Sequence, residues 1–371
     1  MKVLTVFGTR PEAIKLFPLI HALNGDPTFD SRVCITAQHR EMLDQVLIFA
    51  KIEPHHDLDL MQVRQSLDTL TARVIVEVGR VLDEERPDWM VVQGDTTTAF
   101  AAALAAHYRK VPVCHIEAGL RSGDLDHPWP EEMNRRAIAT FAALHCAPTD
   151  IAAENLIRES VYPAAVHITG NTVIDALLWT REQLQAAPAT TGPIAEMQAR
   201  FPQRKLIGVT AHRRENLPEM AKIAVAIKEV ARRDNVAILV PMHRNPAVRD
   251  VLQAELGGLE NVVLTEPLAY QDFVQLLDAA HLMLSDSGGV QEEAPTLGTP
   301  VLVMRETTER PEAIAAATAR LVGTDPRRIF TETARLLDDA EAHAAMAQAH
   351  NPYGDGTAAL RIRDLLRNEV R

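Results

Sequence analysis

Cysteine is scarce in this sequence: of 371 residues, only Cys34, Cys114 and Cys146 carry a thiol. They are far apart, odd in number and each set in an apolar, strand-like run, so they suggest neither a disulfide framework nor a zinc site. Buried, inert thiols are the expectation. Long hydrophobic runs are also missing. "VLTVF" and "AILVPM" are strand-length, well short of the roughly 18 residues of a membrane span, and no basic region followed by an apolar stretch opens the chain. A cytoplasmic protein without a membrane partner is expected. Positive charge is in deficit, with a net charge of -12, which opposes general nucleic-acid binding because a phosphate backbone would be repelled outside local patches. Any anionic ligand must therefore meet a local cluster of basic residues. The first strand is not followed by a G-x-G-x-x-G turn, and no H-E-x-x-H occurs, so neither a nicotinamide cofactor nor a catalytic metal is called for.

What is present is enough for two ordinary domains, given the length and a content of 47% hydrophobic and 24% charged residues. "KVLTVF", "RVCITA", "DWMVVQ", "VPVCHI" and "AVHITG" read as strands, with "PEAIKLFPLIHAL", "TTTAFAAALAAHY" and "PEEMNRRAIATFAAL" as helices between them. That alternation argues for βαβ units around a parallel sheet. It restarts after residues 172–200 with the strands "KLIGVTA", "VAILVPM", "NVVLTE", "HLMLSD" and "PVLVM". Two doubly wound α/β domains follow. Open parallel sheets bind ligands at the carboxyl ends of their strands, which predicts a site in the cleft between two facing sheets.

The stretch "SDSGGVQEEAPTLGTPVL", Ser285 to Leu302, predicts a strand, a turn at Ser287-Gly288-Gly289 and a helix ended by Gly298. Glycines there admit a ligand close to the backbone, and free amides at a helix start suit a phosphate, so the stretch points to a nucleotide. Glu292 and Glu293 are neighbours about 100° apart around a helix, so one of them faces the ligand, where a carboxylate can accept hydrogen bonds from a ribose diol. In the first domain, "VFGTRPEAIKL" sets Arg10 and Lys15 after a strand end. Asp95, Glu117 and Glu131 stand where "VVQGD", "CHIEAG" and "PEEMNRR" meet the predicted site. Asp95 and Glu131 also suit helix N-termini; Glu117 does not. Three carboxylates around one pocket push their pKa values apart, giving one proton donor and one acceptor. In the second domain, "TAHRREN" and "PMHRNP" place His212, Arg213, Arg214, His243 and Arg244 at strand ends, and "TTERPEAI" adds Arg310 as a clamp for a diphosphate held at Gly288.

Taken together, "FGTRPEAIKL", "QGDTTT", "IEAGLRSGD", "PWPEEMNRR", "TGNTVIDAL", "TAHRREN", "DSGGVQEEAPTLGTPVL", "TTERPEAI", "LVGTD" and "NPYGDG" resemble the non-hydrolysing UDP-N-acetylglucosamine 2-epimerases, in order and over nearly the whole chain. The resemblance implies a GT-B fold with Rossmann-like domains at 1–171 and 172–351 and a C-terminal helix within 352–371 crossing back onto the first. It further implies a homodimer that interconverts UDP-N-acetylglucosamine and UDP-N-acetylmannosamine for surface polysaccharide synthesis. Matched by motif, Arg10, Lys15, Asp95, Glu117, Glu131 and His212 correspond to the family's catalytic set. Phe273 corresponds to its uracil-side contact, and Ser287, Gly288, Gly289, Glu293 and Arg310 to its phosphate and ribose contacts. Gln93 stands where the family often has His, and His127 where relatives often have Ser; both lie beside the acidic cluster.

The family route eliminates UDP to give a 2-acetamidoglucal and adds UDP back with a proton delivered to the other face of carbon 2. It needs acid/base groups on both faces and cations on the departing diphosphate. Which carboxylate serves which face is not written in the sequence. A GT-B glycosyltransferase would share the nucleotide end without a reason for three carboxylates, and a hydrolysing epimerase often carries a fused kinase domain for which this chain is too short. The resemblance also implies activation by a second molecule of UDP-N-acetylglucosamine, at positions matching Gln38, Glu41, Arg64, Glu131, Arg213 and His243.

Overall fold

A computed structural model of the chain describes residues 1–37, 40–60, 65–187 and 191–369, without the side chains of Glu41 and Arg214. It divides into two units: Met1–Ala176 together with Tyr353–Arg371, and Leu177–Pro352.

The first unit is built on strands β1 (Lys2–Phe7), β2 (Asp30–Ile35), β3 (His56–Asp57), β4 (Trp89–Gln93), β5 (Val113–Ile116), β6 (Leu144–Ala147) and β7 (Val166–Ile168). They lie in the order β3-β2-β1-β4-β5-β6-β7, every neighbour parallel. Strands β4, β5 and β6 are buried along their whole length, as both-face coverage by crossover helices demands. Strands β3 and β6 were not anticipated. The first is two residues long, and "LHCA" carries too short an apolar run to stand out.

Helix Arg10–Asn24 starts on a capping box in which Thr9 and Glu12 satisfy each other's backbone amides, with Pro11 in the first turn. Helix Thr97–Tyr108 is capped by Thr96, whose hydroxyl accepts from the Ala99 amide. Its buried alanines let helix Leu67–Glu85 approach closely, and Val74, Val78, Leu82, Met90 and Val92 complete that core. Cys114 and Cys146 lie in the same sheet, fully buried, their sulfurs 3.7 Å apart. Gly8, at the end of β1, has no room for a side chain: a Cβ there would come within 2.1 Å of Thr36 Oγ1 and 2.7 Å of Thr98 Oγ1.

The second unit repeats the plan with β8 (Lys205–Thr210), β9 (Val236–Pro241), β10 (Val262–Thr265), β11 (Leu282–Ser285), β12 (Val301–Val303) and β13 (Ala319–Leu321), ordered β10-β9-β8-β11-β12-β13 and again parallel. Ile207, Val209, Ile223, Ile227, Val230, Ile238, Val240 and Leu284 form its core. Helix Gly288–Glu293 tightens into the 3-10 turn Ala294–Leu297, and Gly298 ends it at φ 74°. Only β13, three residues at a sheet edge, was not anticipated.

Strand order reverses between β1 and β4 in one sheet and between β8 and β11 in the other. Such switch points open a crevice at the carboxyl ends of the strands, where ligands of doubly wound sheets bind. No described helix is long and apolar enough to cross a membrane.

The chain leaves the first unit within helix Thr172–Ala186 and re-enters it at Tyr353. Helix Ala358–Asn368 then packs on helix Arg10–Asn24. Its first amides, those of Ala358 and Ala359, donate to the buried carboxylate of Asp175 at 3.3 and 2.9 Å. Burial pushes Asp175 from 3.8 up to about 6, with the two amides opposing and Asp355 reinforcing the rise. Between those values the folded protein holds a proton that the unfolded chain has released. Stability from this group is therefore present below about pH 4 and lost as pH rises through 6, with the interval corresponding to roughly 3 kcal/mol. Unfolding in urea should show Asp175→Asn losing more stability relative to the parent at pH 4.5 than at pH 7.5; an equal loss at both would mean Asp175 titrates normally.

Candidate active site

Polar groups of the first unit collect at its switch point. Gln93-Gly94-Asp95 follows β4, and Gly94 turns the chain at φ 68°. Glu117, directly after β5, takes a left-handed φ of 61°, a conformation costing a non-glycine residue on the order of 1 kcal/mol and characteristic of functional sites. Its carboxylate is nearly enclosed. Lys15 Nζ donates to Oε1 at 2.5 Å and Asn171 Nδ2 to the same oxygen at 3.1 Å, while Gln93 Nε2 donates to Oε2. Three donors, one of them cationic, converge on this carboxylate.

Asp95 is in the opposite condition. It is not the helix cap that its position before "TTT" suggests, since Thr96 performs that task. Instead its carboxylate meets Arg135 Nη2 at 2.6 Å and its carbonyl accepts from Asn134 Nδ2 at 2.8 Å. Burial pushes its carboxyl above the usual range; Arg135 and Lys15 oppose the rise, and Glu117 and Glu131 add to it. Asp95, Glu117 and Glu131 thus share one electrostatic neighbourhood. Glu131 opens helix Glu131–Ala139 and its neighbour Glu132 is fully buried. Glu132 anchors the approach to that helix, accepting from the Ser122 amide at 3.0 Å and from Arg136 Nε at 2.9 Å. Arg10 begins its helix two residues after Gly8, and His127 is exposed and bonded to Asp124.

In the second unit the buried carboxylate of Asp286, just past β11, gathers the segment after β8. It accepts from the amides of His212 and Arg213 at 2.9 Å each and from Asn216 Nδ2 at 3.1 Å. The His212 ring stacks on His243 with centroids 5.6 Å apart and planes at 16°. Burial lowers the His212 pKa; Asp286, 3.4 Å from Nδ1, opposes this, and Arg213 and His243 add to it. His212, His243, Met242, Leu268, Phe273 and Ser287 border a cavity of about 170 Å³, with an aromatic face at one side and the glycine turn at the other. At that turn a Cβ on Gly288 would come within 3.4 Å of Arg213 Nη2 and 3.7 Å of Arg310 Cζ. Two guanidinium groups and the Glu309 carboxylate, 3.6 Å from the same point, therefore lie beside Gly288. Of the adjacent glutamates, Glu292 binds Arg310 Nε, whereas Glu293 Oε1 stands beside Gly289, 3.2 Å from where a Cβ would be. The angular separation expected from the helix is observed, and it gives the two carboxylates different tasks.

Gln38 and Arg64 and the side chain of Glu41 lie outside the described residues. Arg213 and His243, expected at an activator site, stand against Gly288 and His212 respectively. Three residues that hold the site together were not singled out from the sequence: Asn171, Arg135 and Asp286. Each lies inside a quoted motif, and its role depends on a partner distant in the chain. No group of His, Cys, Asp and Glu suited to a metal ion occurs among the described residues.

The family model for UDP-N-acetylglucosamine 2-epimerase matches residues 21–367. The UDP-N-acetylglucosamine 2-epimerase of Escherichia coli (strain K12) is 51% identical over 374 residues, 99% of each chain. The crystal structure of UDP-GlcNAc 2-epimerase from Neisseria meningitidis bound to UDP-GlcNAc superposes with a TM-score of 0.90 at 47% identity, covering 100% of both chains. The glycotransferase of kitacinnamycin, at 12% identity and a TM-score of 0.66 over 100% of this chain, shares the fold alone.

The Asp286 contacts generate a prediction. Because its negative charge favours the imidazolium form of His212, Asp286→Asn should lower the His212 pKa further. Proton NMR titration of the ring checks the sign; a rise would mean that Asp286 is not the group facing it.

Proposed function

The chain belongs to the UDP-N-acetylglucosamine 2-epimerase family, and on that premise we propose that it interconverts UDP-N-acetylglucosamine and UDP-N-acetylmannosamine by eliminating UDP and adding it back. The observation that most supports this reading is the contrast between Asp95, whose carboxyl burial pushes above its usual range, and Glu117, whose carboxylate receives donors from Lys15, Gln93 and Asn171. Carbon 2 has no neighbouring carbonyl to acidify its proton, so direct removal and return is slow. Elimination avoids this: the C1–O bond breaks toward UDP as a base takes the C2 proton, leaving 2-acetamidoglucal. Re-addition forms the C1–O bond again while an acid protonates C2 on its other face. An anionic and a neutral carboxyl supply base and acid together, with Glu131 as the third member.

The nucleotide is assigned to the second unit, with uracil against Phe273, ribose at Glu293 and the diphosphate at the Ser287-Gly288-Gly289 backbone between Arg213 and Arg310. Positive charge there stabilises the leaving group as its charge develops, and Arg10 and His212 are read as further contacts to it. The reading includes a homodimer, a supply of N-acetylmannosamine units for surface polysaccharide, and activation by UDP-N-acetylglucosamine through Arg213 and His243 with Gln38, Glu41, Glu131 and Arg64.

Incubated with UDP-N-acetylglucosamine in heavy water, the protein should yield UDP-N-acetylmannosamine deuterated at carbon 2, observed by NMR. Unlabelled product would rule out elimination, and free UDP matching all substrate lost would indicate hydrolysis. In the same assay started from pure UDP-N-acetylmannosamine, turnover should be slow until a trace of UDP-N-acetylglucosamine is added.

Side-chain roles separate in binding and rate. Asp95→Asn, Glu117→Gln and Glu131→Gln should each reduce turnover by about 100-fold or more while UDP binding persists. Arg310→Ala should weaken UDP binding by roughly 1.5–3 kcal/mol, the usual range for a hydrogen bond to a charged group, as read by calorimetry. Unchanged UDP affinity in both Arg310→Ala and Glu293→Ala would remove the nucleotide from the second unit.

A further inference from the structure

The chain passes between its units twice, after Ala176 and after Pro352, and the first-unit ends of both passages are bonded to each other. The Asn171 amide donates to the Tyr353 carbonyl at 2.7 Å. Beside this bond, Gly170 and Gly354 both adopt positive φ, and a Cβ on Gly170 would come within 3.3 Å of the Gly354 Cα. Four residues further on, Asp175 receives the first amides of helix Ala358–Asn368. The returning segment is thus fastened to residues 170–175 by backbone, by close approach and by a buried carboxylate.

Asn171 is 3% exposed, and its side chain is used at both ends. Its Oδ1 accepts from the Val173 amide at 3.1 Å, at the start of helix Thr172–Ala186, and its Nδ2 donates to Glu117 Oε1 at 3.1 Å. An amide is the one uncharged side chain of this length that can accept at one end and donate at the other. A carboxylate replacement loses the donor, a hydroxyl lacks the reach to serve both partners, and an aliphatic side chain loses both functions.

We propose that Asn171 is a positioning residue for Glu117, fixing that carboxylate from the point where the returning chain is fastened. This rests on the epimerase reading only in what Glu117 does, since the contacts themselves are independent of it. Lys15 supplies charge to Glu117 from a flexible stem and Gln93 holds the other oxygen; Asn171 adds the donor that is rigidly tied at its backbone. The groups facing Glu117 are Lys15 of helix Arg10–Asn24, Gln93 and Asp95 at the end of β4, and His115 of β5, with Glu131 and Arg135 acting through Asp95.

Asn171→Ser and Asn171→Asp test it, with Asn171→Gln as a control. Asn171→Ser is chosen to keep an acceptor for the Val173 amide while losing the reach to Glu117. Asn171→Asp keeps the acceptor and sets a carboxylate where the donor was. With UDP-N-acetylglucosamine as substrate, Asn171→Ser should lower kcat about tenfold with KM changed less than threefold, and Asn171→Asp should move the acidic limb of the kcat–pH profile to higher pH by half a unit or more. Asn171→Gln should not restore the parent values, because its longer arm displaces the carboxylate. Carbon-13 NMR of the Glu carboxyl groups, with Glu117 identified by its loss in Glu117→Gln, should show the Glu117 titration moving upward in Asn171→Asp. That readout needs no turnover. If the parent protein does not epimerise, the functional reading fails while the NMR shift still decides the positioning role. Parent kcat, pH profile and Glu117 titration in both variants, or a fall in melting temperature alone, would overturn it.

Discussion

A parallel strand joined to its neighbour by a helix must be covered on both faces, and from that constraint the rest of this molecule follows. Strands such as "WMVVQ" and "VCHI" have no solvent face on which to carry polar chemistry. Charged groups are therefore displaced to the positions just after the strands end. Asp95 and Glu117 follow β4 and β5, and His212 and Asp286 follow β8 and β11. Where strand order reverses, these positions lie side by side, so the same rule that builds the core also assembles the chemistry.

The two units solve the same geometric problem with opposite electrostatics. In the first, carboxylates gather at the strand ends and cations such as Lys15 and Arg135 pair with them. In the second, the cations Arg213 and Arg310 flank the glycine turn, and carboxylates such as Glu292 and Glu309 orient them. The overall net charge of -12 is compatible with binding an anion because the local arrangement, rather than the total, meets the ligand.

Much of this was legible in the sequence. Short, strand-length apolar runs announced ten of the thirteen described strands, and glycine, proline and carboxylate at strand ends marked both switch points. The misses have physical causes. β3, β6 and β13 are two to four residues long, too short for periodicity to register; their place is set by the strand beside them. Asp95, expected among the acid/base carboxylates, also suited a helix cap, and only the fold shows that its neighbour Thr96 takes that position. Asn171, Arg135 and Asp286 act through partners tens of residues away, a relation that local pattern does not carry. The division between Glu292 and Glu293 was foreseen in angle and resolved only by the position of Arg310.

The three cysteines have a practical consequence. All are buried; burial pushes Cys34 up to about 12, and contact with Cys146 together with burial raises Cys114 well above its usual range. Thiolate is the form that alkylating reagents attack, so in the folded protein these groups are silent. The chain thereby carries its own gauge of integrity. Thiol labelling at neutral pH measures opening of strands β2, β5 and β6, independently of any ligand, and turns a core feature with no part in the chemistry into a clock for how long the sheet stays closed.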